Sequence, residues 1–347
     1  MNRRTMATGR GATLVMTLAG NRKAAMQTTE LIKPTAIKEG DTVALITPCT
    51  EVIDPDRLVL AQQTMRYFGL RPLLGKNVGK RTVNYKSSVS ARLADLHEAF
   101  SNPTVKAIFA VRGGYGSGHL LDGIDYALIK NNPKIFLGYS DITAMHLAIH
   151  KRTGLVTFHG PVAVSEFTDY TQQSFRKTLF ENRPAGKFTN PNESGKLRPN
   201  HKLRTVVGGK ATGQLIGGNL SVLSTSMGTE FEIDTRGKIL FLEDVDEQPY
   251  SLDRMLTQLR LAGKLTQAAG IIFGECADCR PRDFKPSLAS PYSLGEVVNN
   301  LFGDLKIPVL YGLTIGHTDD QLTLPIGVKA MLDADNGTLE IKEAAVR

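Results

Sequence analysis

Tryptophan is absent from the 347 residues, and cysteine occurs only as Cys49, Cys276 and Cys279. Three thiols give no disulfide framework, and a chain of this length can bury a large core without one. Cys276-Ala-Asp-Cys279 has the spacing of a redox pair or of half a zinc site. No second pair of that kind completes four ligands, so the two read as incidental thiols near a strand end. His146 and His150 stand four residues apart but lack the glutamate of H-E-x-x-H, and read as surface or satisfied packing residues. No stretch reaches about 18 uninterrupted apolar residues, so no membrane span is expected. Internal repeats and low-complexity segments are also missing.

Charge is present in excess of one sign: 42 Lys and Arg stand against 34 Asp and Glu, a net of +8. Much of the excess lies in the first 40 residues and between Arg176 and Lys210. No basic-aromatic alternation accompanies it, so it reads as a solvated surface that favours anionic ligands and not as a nucleic-acid interface. Arg3 and Arg4 precede a weak apolar run from Ala12 to Ala19, and Ala24-Ala25 follows. This resembles a twin-arginine leader, although Arg22 and Lys23 argue against efficient cleavage. The alternatives are export to the periplasm through that leader, or a disordered tail on a cytoplasmic protein.

Apolar residues make up 41% and charged residues 22%, ordinary globular usage. From Ile37 the pattern is α/β. The runs Asp41–Pro48, Val105–Val111, Lys134–Tyr139 and Lys238–Leu242 read as buried parallel strands, and Gly270–Gly274 and Pro308–Leu313 as further ones. Helices are expected over Arg57–Phe68, after a cap at Ser90, over Ile124–Lys130 and Asp141–His150, and around Leu252, Met255, Leu256 and Leu259. Strands alternating with helices imply a mostly parallel sheet with flanking helices. The Asn-, Pro- and Lys-rich stretch after Glu166 breaks the rhythm. The expected division is a leader or tail over 1–34, a first domain over 35–165, a linker over 166–206 and a second α/β domain over 207–347.

Four features can carry chemistry. Ser140, in Gly138-Tyr-Ser-Asp141, stands where a buried strand meets a helix. A sharp turn there would lift its hydroxyl above the sheet beside free helix N–H groups, although the second glycine of G-x-S-x-G is missing. An N-cap is the competing reading. Arg112-Gly-Gly-Tyr-Gly-Ser-Gly118 follows a strand and either cradles an anion or simply turns; it does not fit a dinucleotide fingerprint. Glu243-Asp-Val-Asp-Glu247 crowds four acids at a strand end, to orient a histidine, bind a cation or sit in water. His317 ends another apolar strand and is followed by Asp319 and Asp320. The chain order Ser, Glu, His is that of hydrolases whose triads assemble at the top of an α/β sheet.

Taken in order, Arg112-Gly-Gly-Tyr-Gly-Ser117, Pro133-Lys134, Gly138-Tyr-Ser-Asp-Ile-Thr143 and Phe158-His-Gly-Pro161 resemble the first half of the LD-carboxypeptidase family. Gly217-Gly-Asn-Leu220, Leu242-Glu-Asp-Val245, Tyr250-Ser-Leu-Asp-Arg254, Gly316-His317 and Leu324-Pro-Ile-Gly327 resemble its second half. The resemblance spans about residues 35 to 335. It implies Ser140 as nucleophile, Glu243 and His317 as its relay, and the backbone of Gly113, Gly114 and Asp141 as oxyanion hole. It further implies two domains meeting at a cleft, a homodimer, and no metal or other cofactor. The implied reaction is hydrolysis of the L,D bond to the terminal D-alanine of a murein tetrapeptide. A related branch cleaves aminoacyl-nucleotide peptides in self-immunity, using a loop that typically carries Trp, which this chain lacks. A non-catalytic sensor of cell-wall peptides is the alternative outside catalysis. Asp319 and Asp320 depart from the family pattern, and are expected to alter the pKa of His317 or the substrate preference.

Overall fold

The computed structural model describes residues 30–281 and 292–347; the leader expected over 1–34 lies outside the described residues as far as position 29. The chain runs β1 (Thr42–Ile46), α1 (Pro55–Tyr67), β2 (Arg71–Leu74), α2 (Tyr85–Ser101), β3 (Val105–Ala110), α3 (Tyr126–Asn131), β4 (Ile135–Gly138), α4 (Thr143–Thr153) and β5 (Thr157–His159). It continues through α5 (Asp169–Leu179), β6 (Gly186–Phe188), β7 (Arg204–Val207), β8 (Lys210–Asn219), α6 (Leu220–Thr225), β9 (Ile239–Val245), α7 (Pro249–Leu261) and β10 (Gly270–Ala277). It ends with α8 (Leu294–Phe302), β11 (Val309–Leu313), β12 (Leu324–Ile326), β13 (Lys329–Asp333) and β14 (Thr338–Ile341).

Two sheets result. The first has the order β12-β5-β4-β3-β1-β2 and is parallel except at β12. The second has the order β6-β14-β13-β8-β9-β10-β11-β7, with a parallel centre from β8 to β11 and antiparallel flanks. The α/β class expected from the strand–helix alternation is the class observed, and the second sheet is mixed. Its central strands are buried on both faces, which is why Ile239–Leu242 and Gly270–Phe273 read as unbroken apolar runs.

Local differences have local causes. The second helix starts at Tyr85 and holds Ser90 inside it, because Ser88 N–H already bonds Asn84 O at 3.0 Å. The stretch read as a linker holds α5 and β6 and the first residues of β7. Helix α5 is capped by Thr168, whose side chain accepts from Thr171 N–H, and it buries Phe175 and Leu179. Phe175 packs on Phe68 with ring centroids 4.6 Å apart. Polar Thr171, Ser174 and Thr178 share that buried face, so an apolar stripe was hard to see. Cys276 and Cys279, read as incidental thiols, are joined in a disulfide at the end of β10.

Candidate active site

Ser140 is separated from the end of β4 by Tyr139 alone and opens a single 3₁₀ turn that leads into α4. Its φ is +64°, a left-handed conformation that a side chain other than glycine adopts only under constraint. The surroundings supply the constraint. His146 Nε2 bonds Gly138 O at 2.9 Å, pinning the end of the strand, and burial lowers the pKa of His146 to about 4, so the ring is a neutral donor. His150 likewise reaches Leu155 O. Both are packing residues, as the second of the two sequence readings has it. The N-cap alternative for Ser140 and Asp141 fails: no side-chain cap opens this turn or α4, and Asp141 Oδ2 instead accepts from Ser117 N–H at 2.7 Å.

His317 comes from the loop after β11, and Glu243 from the buried end of β9. The structure brings both to Ser140: His317 Nε2 lies 3.1 Å from Ser140 Oγ, and His317 Nδ1 lies 2.8 Å from Glu243 Oε2. Glu243 is fully buried, so its carboxylate is no solvated loop acid. Its other oxygen, Oε1, has no partner among the described residues, which leaves the His317 bond as the main compensation for burying the group. Gly316 makes the approach possible: its φ is +85°, and a Cβ there would overlap Glu243 Oε2. The ring of Tyr139 stands edge-on to His317 at 4.8 Å and limits how the imidazole can turn.

Burial of His317 opposes its protonation, but the hydrogen bond to Glu243, that group's charge and the charge of Asp244 together raise its pKa above the ordinary 6.5. Asp244 is itself buried. Desolvation and the charge of Glu243 lift its pKa to about 6 against three hydrogen bonds, from Asn219 Nδ2, Ser221 N–H and Val245 N–H. Asp319 and Asp320, expected to alter the pKa of His317 or the substrate preference, are not among the acids that raise that pKa. Asp320 points away, to His201 Nε2 at 3.2 Å and to Thr168 Oγ1, while His201 Nδ1 bonds Glu275 Oε1 at 2.8 Å. The segment around His201, the loop carrying His317 and β10 are thereby tied together. Sequence reasoning missed this network because its members are scattered over 152 positions with no common motif.

The glycine turn borders the serine. A Cβ on Gly113 would stand 2.9 Å from Ser140 Cβ and 3.2 Å from its Oγ. Gly114, at φ +121°, leaves no room for a Cβ beside Thr50, whose Oγ1 accepts from Tyr115 N–H at 3.0 Å. Ser140, His317, Gly113 and Gly114 open into one cavity of about 230 Å³, also lined by Arg57, Arg112, Tyr139, Val162, Val164 and Ser165. A larger groove of about 770 Å³ between α1 and residues 164–167 shares Val164 and Ser165 with it. A hydroxyl bonded to an imidazole that is bonded in turn to a buried carboxylate can generate an alkoxide-like nucleophile without a metal ion. Among the described residues no cluster of three or more His, Cys, Asp or Glu could hold one.

Known proteins share this architecture. Residues 43–160 match the model of the LD-carboxypeptidase N-terminal domain, and residues 212–332 that of the C-terminal domain. A Bacillus subtilis protein named "Probable murein peptide carboxypeptidase" is 43% identical over 315 residues, covering 89% of this chain and 94% of that protein. The microcin C7 self-immunity protein MccF of Escherichia coli is 33% identical over 341 residues, 90% of this chain and 96% of its own. A solved wild-type structure under that name superposes with a TM-score of 0.80, at 30% identity, over 91% of this chain and all of the other. The crystal structure of muramoyltetrapeptide carboxypeptidase from Oxalobacter formigenes gives a TM-score of 0.73 at 30% identity, over 87% of this chain and 99% of that one.

Proposed function

The chain belongs to the LD-carboxypeptidase family of hydrolases, and from that premise we propose that it removes the terminal D-alanine from murein tetrapeptides by serine attack on the L,D bond. The observation that carries the proposal is the unbroken chain of contacts from Ser140 Oγ through His317 to the buried Glu243, at the floor of an open cavity. In this reading His317 Nε2 takes the Ser140 proton as Oγ attacks the scissile carbonyl. The N–H groups of Gly113, Gly114 and Asp141 receive the developing oxyanion, consistent with how closely Gly113 lies against Ser140. His317 then passes its proton to the leaving amine of D-alanine, and a water molecule repeats the sequence to free the acyl group. Glu243 fixes the tautomer and stabilises the imidazolium. The 43% identity to the Bacillus subtilis protein supports the substrate class.

A second reading, self-immunity by cleavage of aminoacyl-nucleotide peptides, is favoured by the 33% identity to the microcin C7 protein. Against it stands the absence of any tryptophan to stack a nucleobase. The test is amino-acid release from a muramyl tetrapeptide at neutral to mildly alkaline pH. Equimolar D-alanine and tripeptide are expected. Binding without release would make the protein a sensor, and release only from aminoacyl-nucleotide peptides would favour the second reading. The homodimer implied by the family is part of this proposal and is read by light scattering on the eluting protein.

A further inference from the structure

The cavity over Ser140 carries more positive charge than the proposed serine chemistry requires. Arg57, near the start of α1, and Arg112, just before the glycine turn, both line it. Neither guanidinium makes a hydrogen bond or ion pair among the described residues. No Asp or Glu lines the same cavity. Glu243 lies behind His317, fully buried and engaged with its ring. Two arginines whose guanidiniums have no partner among the described residues thus line a small chamber that also holds the nucleophile.

Unpaired arginines beside a chamber have a specific complement. A guanidinium offers a planar fork of donors that matches a carboxylate bidentately. We propose that Arg112 and Arg57 form a carboxylate subsite that holds the free α-carboxylate of the leaving amino acid. The proposal rests on the peptidase reading above and deepens it, because it supplies the reason for cleaving only at a chain terminus. Arg112 is half-buried and one residue from Gly113, whereas Arg57 is exposed on the facing helix. Arg112 is therefore the specificity-determining partner, and Arg57 closes the subsite from the solvent side. The leaving D-alanine is small enough for a chamber of about 230 Å³. The wider groove that shares Val164 and Ser165 is left for the acyl side of the substrate.

The test separates this subsite from the reaction. Tetrapeptides with lysine at the third position are prepared as the free acid and as the C-terminal amide. Binding of each is measured by calorimetry to Ser140→Ala, and D-alanine release (or release of its amide) is measured with the wild type. The acid is expected to bind about 10- to 100-fold tighter than the amide, as for a hydrogen-bonded charge pair. Arg112→Gln in the Ser140→Ala background should abolish most of that preference, Arg57→Gln part of it, and Arg112→Lys should restore only a fraction. Matched thermal midpoints exclude misfolding. A preference that survives both glutamine substitutions, or no preference at all, overturns the subsite while D-alanine release still upholds the peptidase. An arginine-dependent preference without any release does the reverse, and binding of neither peptide sinks both. Peptides with diaminopimelate at the third position add a second carboxylate. If Arg112→Gln weakens the diaminopimelate amide but not the lysine amide, the arginines read that side chain, and the assignment to the terminus is wrong.

Discussion

Protonation of His317 decides when the proposed site can act. A general base must be neutral, and the net effect of burial, Glu243 and Asp244 is a pKa raised above 6.5. The value of kcat/KM should therefore climb with pH through a midpoint above 6.5. Asp244→Asn removes one of the charges that raises it, so the acid limb should move to lower pH. Because the pKa of Asp244 is about 6, its charge, and hence the difference, is present only above that range. A limb that stays in place would show that Asp244 does not reach the imidazole. Glu243→Gln should keep the thermal midpoint yet lose turnover by up to about 10⁴, since the wrong tautomer is then held. Ser140→Ala should be at least as damaging, and the double variant little worse, because such residues act as a unit. Near-normal turnover in Glu243→Gln would remove it from the relay. All three residues were legible as types at strand ends. The +64° φ of Ser140 was not, because the turn is held by Tyr139, His146 and Gly113, which are brought together only by folding.

Elements were legible where burial on two faces wrote an apolar run, as in β1, β3, β4, β9 and β10. They were not where one face stays wet. The first half of β8 alternates exposed and half-buried residues, and β6, β7 and β14 are short antiparallel flanks with polar positions. Pairing of this kind is set by partners distant in sequence, which a local window cannot contain. The same limit hid the bracket that holds the His317 loop. Asp320 is clamped between His201 and Thr168, and His201 is anchored on Glu275. Asp320→Asn and His201→Ala should therefore loosen the loop and misplace the base. Turnover should fall by about 10- to 100-fold, the scale of a displacement of about 1 Å, with KM and the acid limb of the pH profile nearly unchanged. A large shift in the limb would mean that Asp320 acts on His317 by its charge.

At the scale of the whole molecule, the two sheets are stitched where β12 ends. Leu324, Pro325 and Ile326 pair with His159, Phe158 and Thr157 at the edge of the first sheet. Immediately afterwards Gly327 N–H reaches Leu215 O at 2.7 Å, Leu215 N–H reaches Val328 O at 2.8 Å, and β13 joins the second sheet. One apolar cluster runs through both, from Val43, Leu45 and Phe109 to Phe241, Ile271 and Leu332. A second cluster, with Ile46, Phe100, Ile108 and Phe136, covers the opposite face of the first sheet and cannot outlast that sheet. Chains above about 150 residues commonly unfold through intermediates, and a division into domains at 165 and 207 would favour two steps. The shared core argues for one. In urea, far-UV circular dichroism and residual D-alanine release should fall together at a single midpoint. A fragment spanning 35–165 should show no cooperative transition, because it lacks β12 on the open edge of β5 and the α5 side chains Phe175 and Leu179 that close its core. Two resolved transitions, or a fragment that folds alone, would mean that the sheets are independent units, and that the triad is assembled by docking two stable bodies, not by the folding of one.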